Sequence, residues 1–137
     1  MPHRFPVRVY YEDTDLAGIV YYANYLKFIE RGRTEWVRSL GIDQTRLRDE
    51  EGLVFAVRRV EADYLRSARF DDELIVETEF LAIAGTRIRL RQTVFRGEER
   101  LFDSEVTLVP ITREGRAARV PEVLAKQLVP ADPAAAT

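Results

Sequence analysis

Between about Tyr22 and Leu40 the apolar side chains recur at helical spacing, through Tyr22, Tyr25, Leu26, Phe28, Ile29, Trp36, Val37 and Leu40. Lys27, Glu30, Arg31, Arg33, Glu35 and Arg38 fill the opposite side, so the segment predicts a long helix with one wet and one buried face. At ~1.5 Å per residue, a run of roughly 18 residues reaches about 27 Å, enough to cross a small sheet. Gly32 lies inside this helix, where glycine costs about 1 kcal/mol against alanine, so it is expected to mark a close approach of another element. Gly41 closes the helix as a left-handed cap. Asp43 then opens a short polar helical turn over 43–51, which Gly52 breaks.

Elsewhere the period is two. Residues 7–12, VRVYYE, read as a first strand. In LVFAVRRVEADYL, from residue 53, Val60, Ala62 and Tyr64 face away from Glu61 and Asp63. Leu74, Val76 and Phe80 likewise oppose Glu77 and Glu79, and Ile88, Leu90 and Val94 alternate with Arg87, Arg89 and Arg91. Short turns at Ala84-Gly85 and at Arg96-Gly97-Glu98-Glu99 join the last strands into an antiparallel meander that ends in LFDSEVTLVPIT. Residues 121–128 allow a short helix with Pro121 in its first turn, and the tail 130–137 is expected to be disordered. The order is one strand, one long helix, then four strands. That is an α+β domain over 1–129, with a helix laid on an antiparallel sheet of about five strands. One helix cannot hide a face of such a sheet, and apolar or aromatic residues occur on both strand faces, so an oligomer is expected.

A chain of 137 residues with 46% hydrophobic and 32% charged residues builds a core and is not disordered. A net charge of -2 gives no reason to expect nucleic acid or an anionic membrane as partner. The N-terminal MPHRFPV lacks the apolar run of a signal peptide, and no stretch of about 18 apolar residues exists for a membrane span. The absence of cysteine excludes disulfides and thiolate chemistry and fits the cytoplasm.

Elimination narrows the chemistry. The only histidine, His3, stands beside a chain end expected to be mobile. Ser39, Ser67 and Ser104 lie outside any G-x-S-x-G turn, so a Ser–His–Asp triad lacks parts. Histidine-based zinc sites and histidine general bases are equally starved, and no glycine-rich phosphate loop is present. No metal site and no cofactor are expected. An enzyme without a cofactor then depends on a carboxylate or a tyrosine. The turn DTDLAG sets Asp13 and Asp15 just ahead of the long helix, whose N-terminus offers unpaired N–H donors and roughly half a positive charge. Such a turn admits two readings: Asp15 as a reaction centre, or Asp15 as a simple cap of the turn before Gly18. Val20, Tyr21 and Tyr25, beside Tyr22, are candidates for a substrate pocket, although most of the tyrosines among Tyr10, Tyr11, Tyr21, Tyr22 and Tyr25 suit core or interface packing better. Arg58 and Arg59, with Arg66, Arg89 and Arg91, are candidates for phosphate contacts. Asp71 and Asp72 read as loop and strand-start residues rather than metal ligands.

The stretch VRVYYEDTDLAGIVYYANYLKFIERGRTEW resembles the signature of hot-dog-fold acyl-CoA thioesterases of the 4-hydroxybenzoyl-CoA thioesterase type, nearest the YbgC-type, Tol–Pal-associated branch. DYLRSARFDDEL and the AGT turn match in kind and spacing, so the likeness covers nearly the whole chain. The resemblance implies a curved sheet wrapped around the long helix, and homodimers or homotetramers with active sites at the dimer interface. It implies hydrolysis of an acyl-CoA to free acid and coenzyme A, with coenzyme A as part of the substrate. Asp15 would be nucleophile or general base, and the N–H near Tyr22 would polarise the thioester oxygen. It also implies a possible cell-envelope association through Tol–Pal. The branch usually carries His where this chain has Tyr22, and Pro where it has Ser67. Rival readings are a non-catalytic acyl-CoA-binding module and an acyl-carrier-protein thioesterase.

Overall fold

In a computed structural model of the chain, residues 2–128 are described. Strand β1 (His3–Arg8) leads through a short 3-10 turn (Tyr11–Asp13) and the DTDLAG loop into helix α1 (Asn24–Ser39). A second helix, α2 (Gln44–Glu51), precedes β2 (Val54–Tyr64), β3 (Glu73–Ala84), β4 (Arg87–Arg96) and β5 (Glu99–Ile111), and a short α3 (Glu122–Ala125) follows. All strands pair antiparallel in the order β1-β3-β4-β5-β2. The expected tail disorder over 130–137 lies outside the described residues.

Local chemistry explains these elements. Asp43 caps α2, its Oδ1 accepting from Thr45 N–H at 2.9 Å and Arg46 N–H at 3.2 Å. The β3–β4 and β4–β5 hairpins turn at Gly85 and Gly97, with φ of 63° and 61°, where a side chain is disfavoured. Bulges interrupt β2 at Val57/Arg59, β3 at Phe80/Ala82 and β5 at Leu101, opposite Val94/Phe95, and a bulge bends a strand and increases its twist.

Helix α1 lies across β1, β3 and β4. Tyr25, Phe28, Ile29, Trp36 and Val37 pack with Leu74, Val76, Leu90, Val94 and Phe102 in the core. The approach is close at Gly32, where a Cβ would stand 2.5 Å from Val76 Cγ1. One buried amide ties helix to sheet: Gln92 Nε2 donates to Ile29 C=O (2.8 Å) and Thr78 Oγ1 (2.9 Å), while its Oε1 accepts from Arg33 (2.9 Å).

Three expectations are corrected. His3 is held in the sheet rather than in a mobile segment: it opens β1, paired with Thr78. The first strand is His3–Arg8 rather than 7–12, because Tyr11–Asp13 wind into the 3-10 turn. The outer face of the sheet is charged over most of its area, carrying the pairs Arg4–Glu77 and Arg89–Glu105 and the Thr93–Asp103 hydrogen bond, with Ile75 and Phe95 apolar at one end. The uncovered apolar residues gather instead on β2, which α1 meets only at its Tyr64 end, through Tyr25: Val54, Val57, Val60 and Tyr64 are all exposed.

Candidate active site

The DTDLAG loop is built by its two carboxylates in different ways. Asp13 is buried; its Oδ2 accepts from Tyr10 N–H at 2.8 Å, and its carbonyl accepts from Tyr21 N–H at 3.0 Å and Asn24 Nδ2 at 2.9 Å. It is spent on structure. Asp15 is exposed, and its Oδ1 accepts from Ala17 N–H at 2.9 Å, the turn-capping bond that an Asp before Gly makes. Bridges from Thr14 to Val20 and from Ile19 to Arg69 close the loop onto the segment after β2.

The start of α1 is open. Its N-cap residue, Ala23, offers no side-chain bond, and among the described residues no hydrogen bond uses the Tyr22 N–H. Asp15 and Tyr22 line one cavity of about 340 Å³ together with Ile19, Val20, Tyr21, Tyr25, Tyr64, Leu65, Arg66 and Ser67. The walls are tied down. Ala68 N–H donates to Tyr25 Oη at 2.9 Å, the Tyr64 hydroxyl donates to Tyr22 C=O at 2.9 Å, and Arg96 reaches Ser67 C=O at 3.2 Å. Burial pushes the Tyr25 and Tyr64 phenols up, and the Tyr22 phenol does the same to Tyr21, so all three stay protonated at neutral pH.

The structure therefore brings together Asp15, Val20, Tyr21, Tyr22 and Tyr25 from the sequence expectation. Of the tyrosines from Tyr10 to Tyr25, only Tyr25 packs into the core; Tyr10, Tyr11, Tyr21 and Tyr22 are exposed. Arg58 and Arg59 lie outside the cavity, at the β2 bulge, with Arg59 paired to Glu61. Arg66 lines the cavity instead, 3.2 Å from Glu99. Tyr64 and Leu65 were not singled out as site residues from sequence; an inward aromatic at the end of a strand, just before the polar break SARFDD, was the available signal. Asp72 accepts from Arg69 N–H and Arg96, both at 2.8 Å, consistent with a loop role.

The profile of the thioesterase superfamily matches residues 17–102. An acyl-CoA thioesterase YbgC of Haemophilus influenzae is 49% identical over 92 residues, 67% of this chain and 68% of that one. An acyl-CoA thioester hydrolase YbgC of Escherichia coli O6:H1 is 42% identical over 106 residues, 77% and 78% of the two chains. Among solved structures, a probable thioesterase from Bartonella henselae superposes with a TM-score of 0.85 at 39% identity, over 88% of this chain and 100% of that one. A 4-hydroxybenzoyl-CoA thioesterase mutant complexed with 4-hydroxybenzoyl-CoA gives 0.87 at 21% identity over 93% and 99%, a likeness of fold. With a matching profile over more than half its length, the chain belongs to the thioesterase superfamily and has the hot-dog fold of that family.

Proposed function

We propose that the chain hydrolyses an acyl-CoA thioester to a free carboxylic acid and coenzyme A. The observation that carries this is that Asp15 and Tyr22, whose N–H is unused among the described residues, line one cavity at an uncapped helix start. The thioester oxygen sits toward that start, where the N–H and the helix dipole stabilise the negative charge of the tetrahedral intermediate. Asp15 supplies the other half. As nucleophile, its carboxylate attacks the carbonyl carbon, the C–S bond breaks, coenzyme A leaves as thiolate, and water cleaves the acyl-aspartyl anhydride. As general base, it takes a proton from water as that water attacks, and the proton passes to the departing thiolate. Val20, Tyr21 and Tyr25 border the acyl group, and Arg66 offers charge for coenzyme A. Both routes run without metal or cofactor.

The proposal includes a homodimer through the β2 edge, pairing on into a homotetramer. That edge is open and exposes Val54, Val57, Val60 and Tyr64 among its charged residues, whereas β1 at the other edge carries Pro6, which has no N–H to give an added strand. Arg58 and Arg59 then lie beside the joint, available to coenzyme A phosphates. Among the described residues no helix is long and apolar enough to cross a membrane. A cytoplasmic location and an envelope association through Tol–Pal belong to the same proposal, resting on the branch resemblance; co-purification of Tol–Pal proteins tests the latter.

The test is thiol release from short aliphatic, long aliphatic and aromatic acyl-CoAs, with Asp15→Asn alongside wild type. Loss of a general base or nucleophile predicts a fall of about 100-fold or more. Retained turnover in Asp15→Asn overturns its role. Binding of acyl-CoA with no turnover of any class favours the non-catalytic module.

A further inference from the structure

The oxyanion donor of the proposed mechanism is a backbone group, so its direction depends on the turn that carries it. Tyr22 stands between two peptide planes. In the first, Tyr21 C=O accepts from Asn24 N–H at 2.8 Å. Carbonyl and N–H of a trans peptide point opposite ways, so this bond turns the Tyr22 N–H away from the helix's own carbonyls. In the second, Tyr22 C=O accepts from the Tyr64 hydroxyl at 2.9 Å, across 42 positions of sequence. Among the described residues this is the only bond on that carbonyl, and Ala23 N–H, in the same plane, makes none.

Tyr64 is itself rigidly placed. Its ring lies edge-on to Tyr22, Tyr25 and Phe102, with centroids 6.1, 5.5 and 5.0 Å away, and Phe102 is fully buried. Beyond it, Leu65 N–H and Arg66 N–H both donate to Leu101 C=O, at 2.8 and 3.1 Å, which fixes the end of β2. The phenol, raised by partial desolvation from an ordinary value of 10.0, is protonated at neutral pH and able to donate.

We propose that Tyr64 is a positioning residue for the oxyanion donor: its hydroxyl clamps the Tyr22–Ala23 peptide and so holds the Tyr22 N–H on the cavity. This rests on the reading that the Tyr22 N–H polarises the thioester. The clamp joins two walls of the cavity, the start of α1 and the end of β2, so the donor's aim is set by sheet packing as well as by the local turn.

Tyr64→Phe keeps the ring and removes only the hydroxyl. Deleting an oxyanion donor outright costs about 100-fold or more, so loosening one predicts a fall in kcat of about tenfold with KM changed by less than about twofold. A second readout is the carbonyl stretch of a bound acyl-CoA analogue in which a methylene replaces the thioester sulfur. Wild type is expected to lower that frequency below its value in water, and Tyr64→Phe to return it part of the way. A merely structural Tyr64 would lower the folded fraction or raise KM and leave the stretch unmoved. An unchanged kcat, or a lower kcat with an unmoved stretch, overturns the role of Tyr64 alone. Wild type with neither turnover nor a lowered stretch overturns the oxyanion reading and this proposal with it.

Discussion

Gly32→Ala probes how α1 is seated. On an exposed helix the change stabilises by about 1 kcal/mol, because alanine is the better helix former. Here the new Cβ would lie 2.5 Å from Val76 Cγ1 and 3.0 Å from Val76 Cβ. Val76 is fully buried and branched at Cβ, so it has few rotamers with which to yield. Restoring a normal carbon–carbon separation of about 3.5 Å requires α1 to lift by about 1 Å, and that gap forfeits contacts along Phe28, Ile29 and Trp36. Overpacking costs about 1–3 kcal/mol, and a clash with both a methyl and its Cβ puts this case near the top. Set against the propensity gain, the net loss is about 2 kcal/mol. With a urea slope of about 2 kcal/mol/M, the unfolding midpoint falls by about 1 M. Adding Val76→Ala removes the obstructing methyls, so the double variant should lose less than the sum of the singles, by about 2 kcal/mol. A Gly32→Ala protein as stable as wild type refutes the close approach.

Tyr25→Phe leaves the buried Ala68 N–H without its acceptor and should cost about 1–3 kcal/mol in a thermal melt, whereas an unaltered melt would show that the bond is dispensable. Asp72 resists its own partial burial through Arg69 N–H and Arg96, which hold its carboxyl below the ordinary 3.8. A depressed folded value means stability present above the unfolded value and lost as pH falls through the folded one. Asp72→Asn should therefore be less stable than wild type at neutral pH, with the gap closing in acid; a gap independent of pH would sink the linkage. Val60→Asp puts charge on the open β2 edge, so it should shift the assembly to monomer in light scattering and reduce turnover, and an unchanged mass would argue against that joint.

The long helix and its glycine were legible because a 3.6-residue period and a costly interior Gly are local signals. The strands were legible in face but not in neighbour. A period of two says which side chains point inward, yet nothing in β2 announces that it pairs with β5, at the sheet edge, rather than with β3. That one fact decides where the bare apolar surface lies. Thr78, Gln92 and Ser104 are polar at inward positions and break the pattern, and only three-dimensional partners explain them: Gln92 bonds Thr78 and Ile29, and Ser104 bonds Gln92 C=O. At the site, the wall near Asp15 in sequence was readable. The opposite wall, Tyr64 to Ser67, arrives through the Ala68–Tyr25 bond across 43 positions. Charge alone could not separate Arg66 from Arg58 and Arg59.

The two readings of Asp15, turn cap and reaction centre, prove compatible. Oδ1 is held by Ala17 N–H, while among the described residues Oδ2 has no hydrogen-bond partner. A carboxylate pinned by one oxygen and free at the other is oriented, which is what an attacking or proton-accepting group needs. The two roles separate by substitution. In Asp15→Asn the amide oxygen can still accept from Ala17 N–H, so the turn survives and only the charge is lost. In Asp15→Ala both go, and the missing cap should cost about 1 kcal/mol. Equal loss of turnover in the two variants, with reduced stability only in the alanine one, is the expected result. An asparagine variant as unstable as the alanine one would mean that the charge itself supports the loop. An alanine variant that keeps turnover would leave Asp15 as a cap and nothing more.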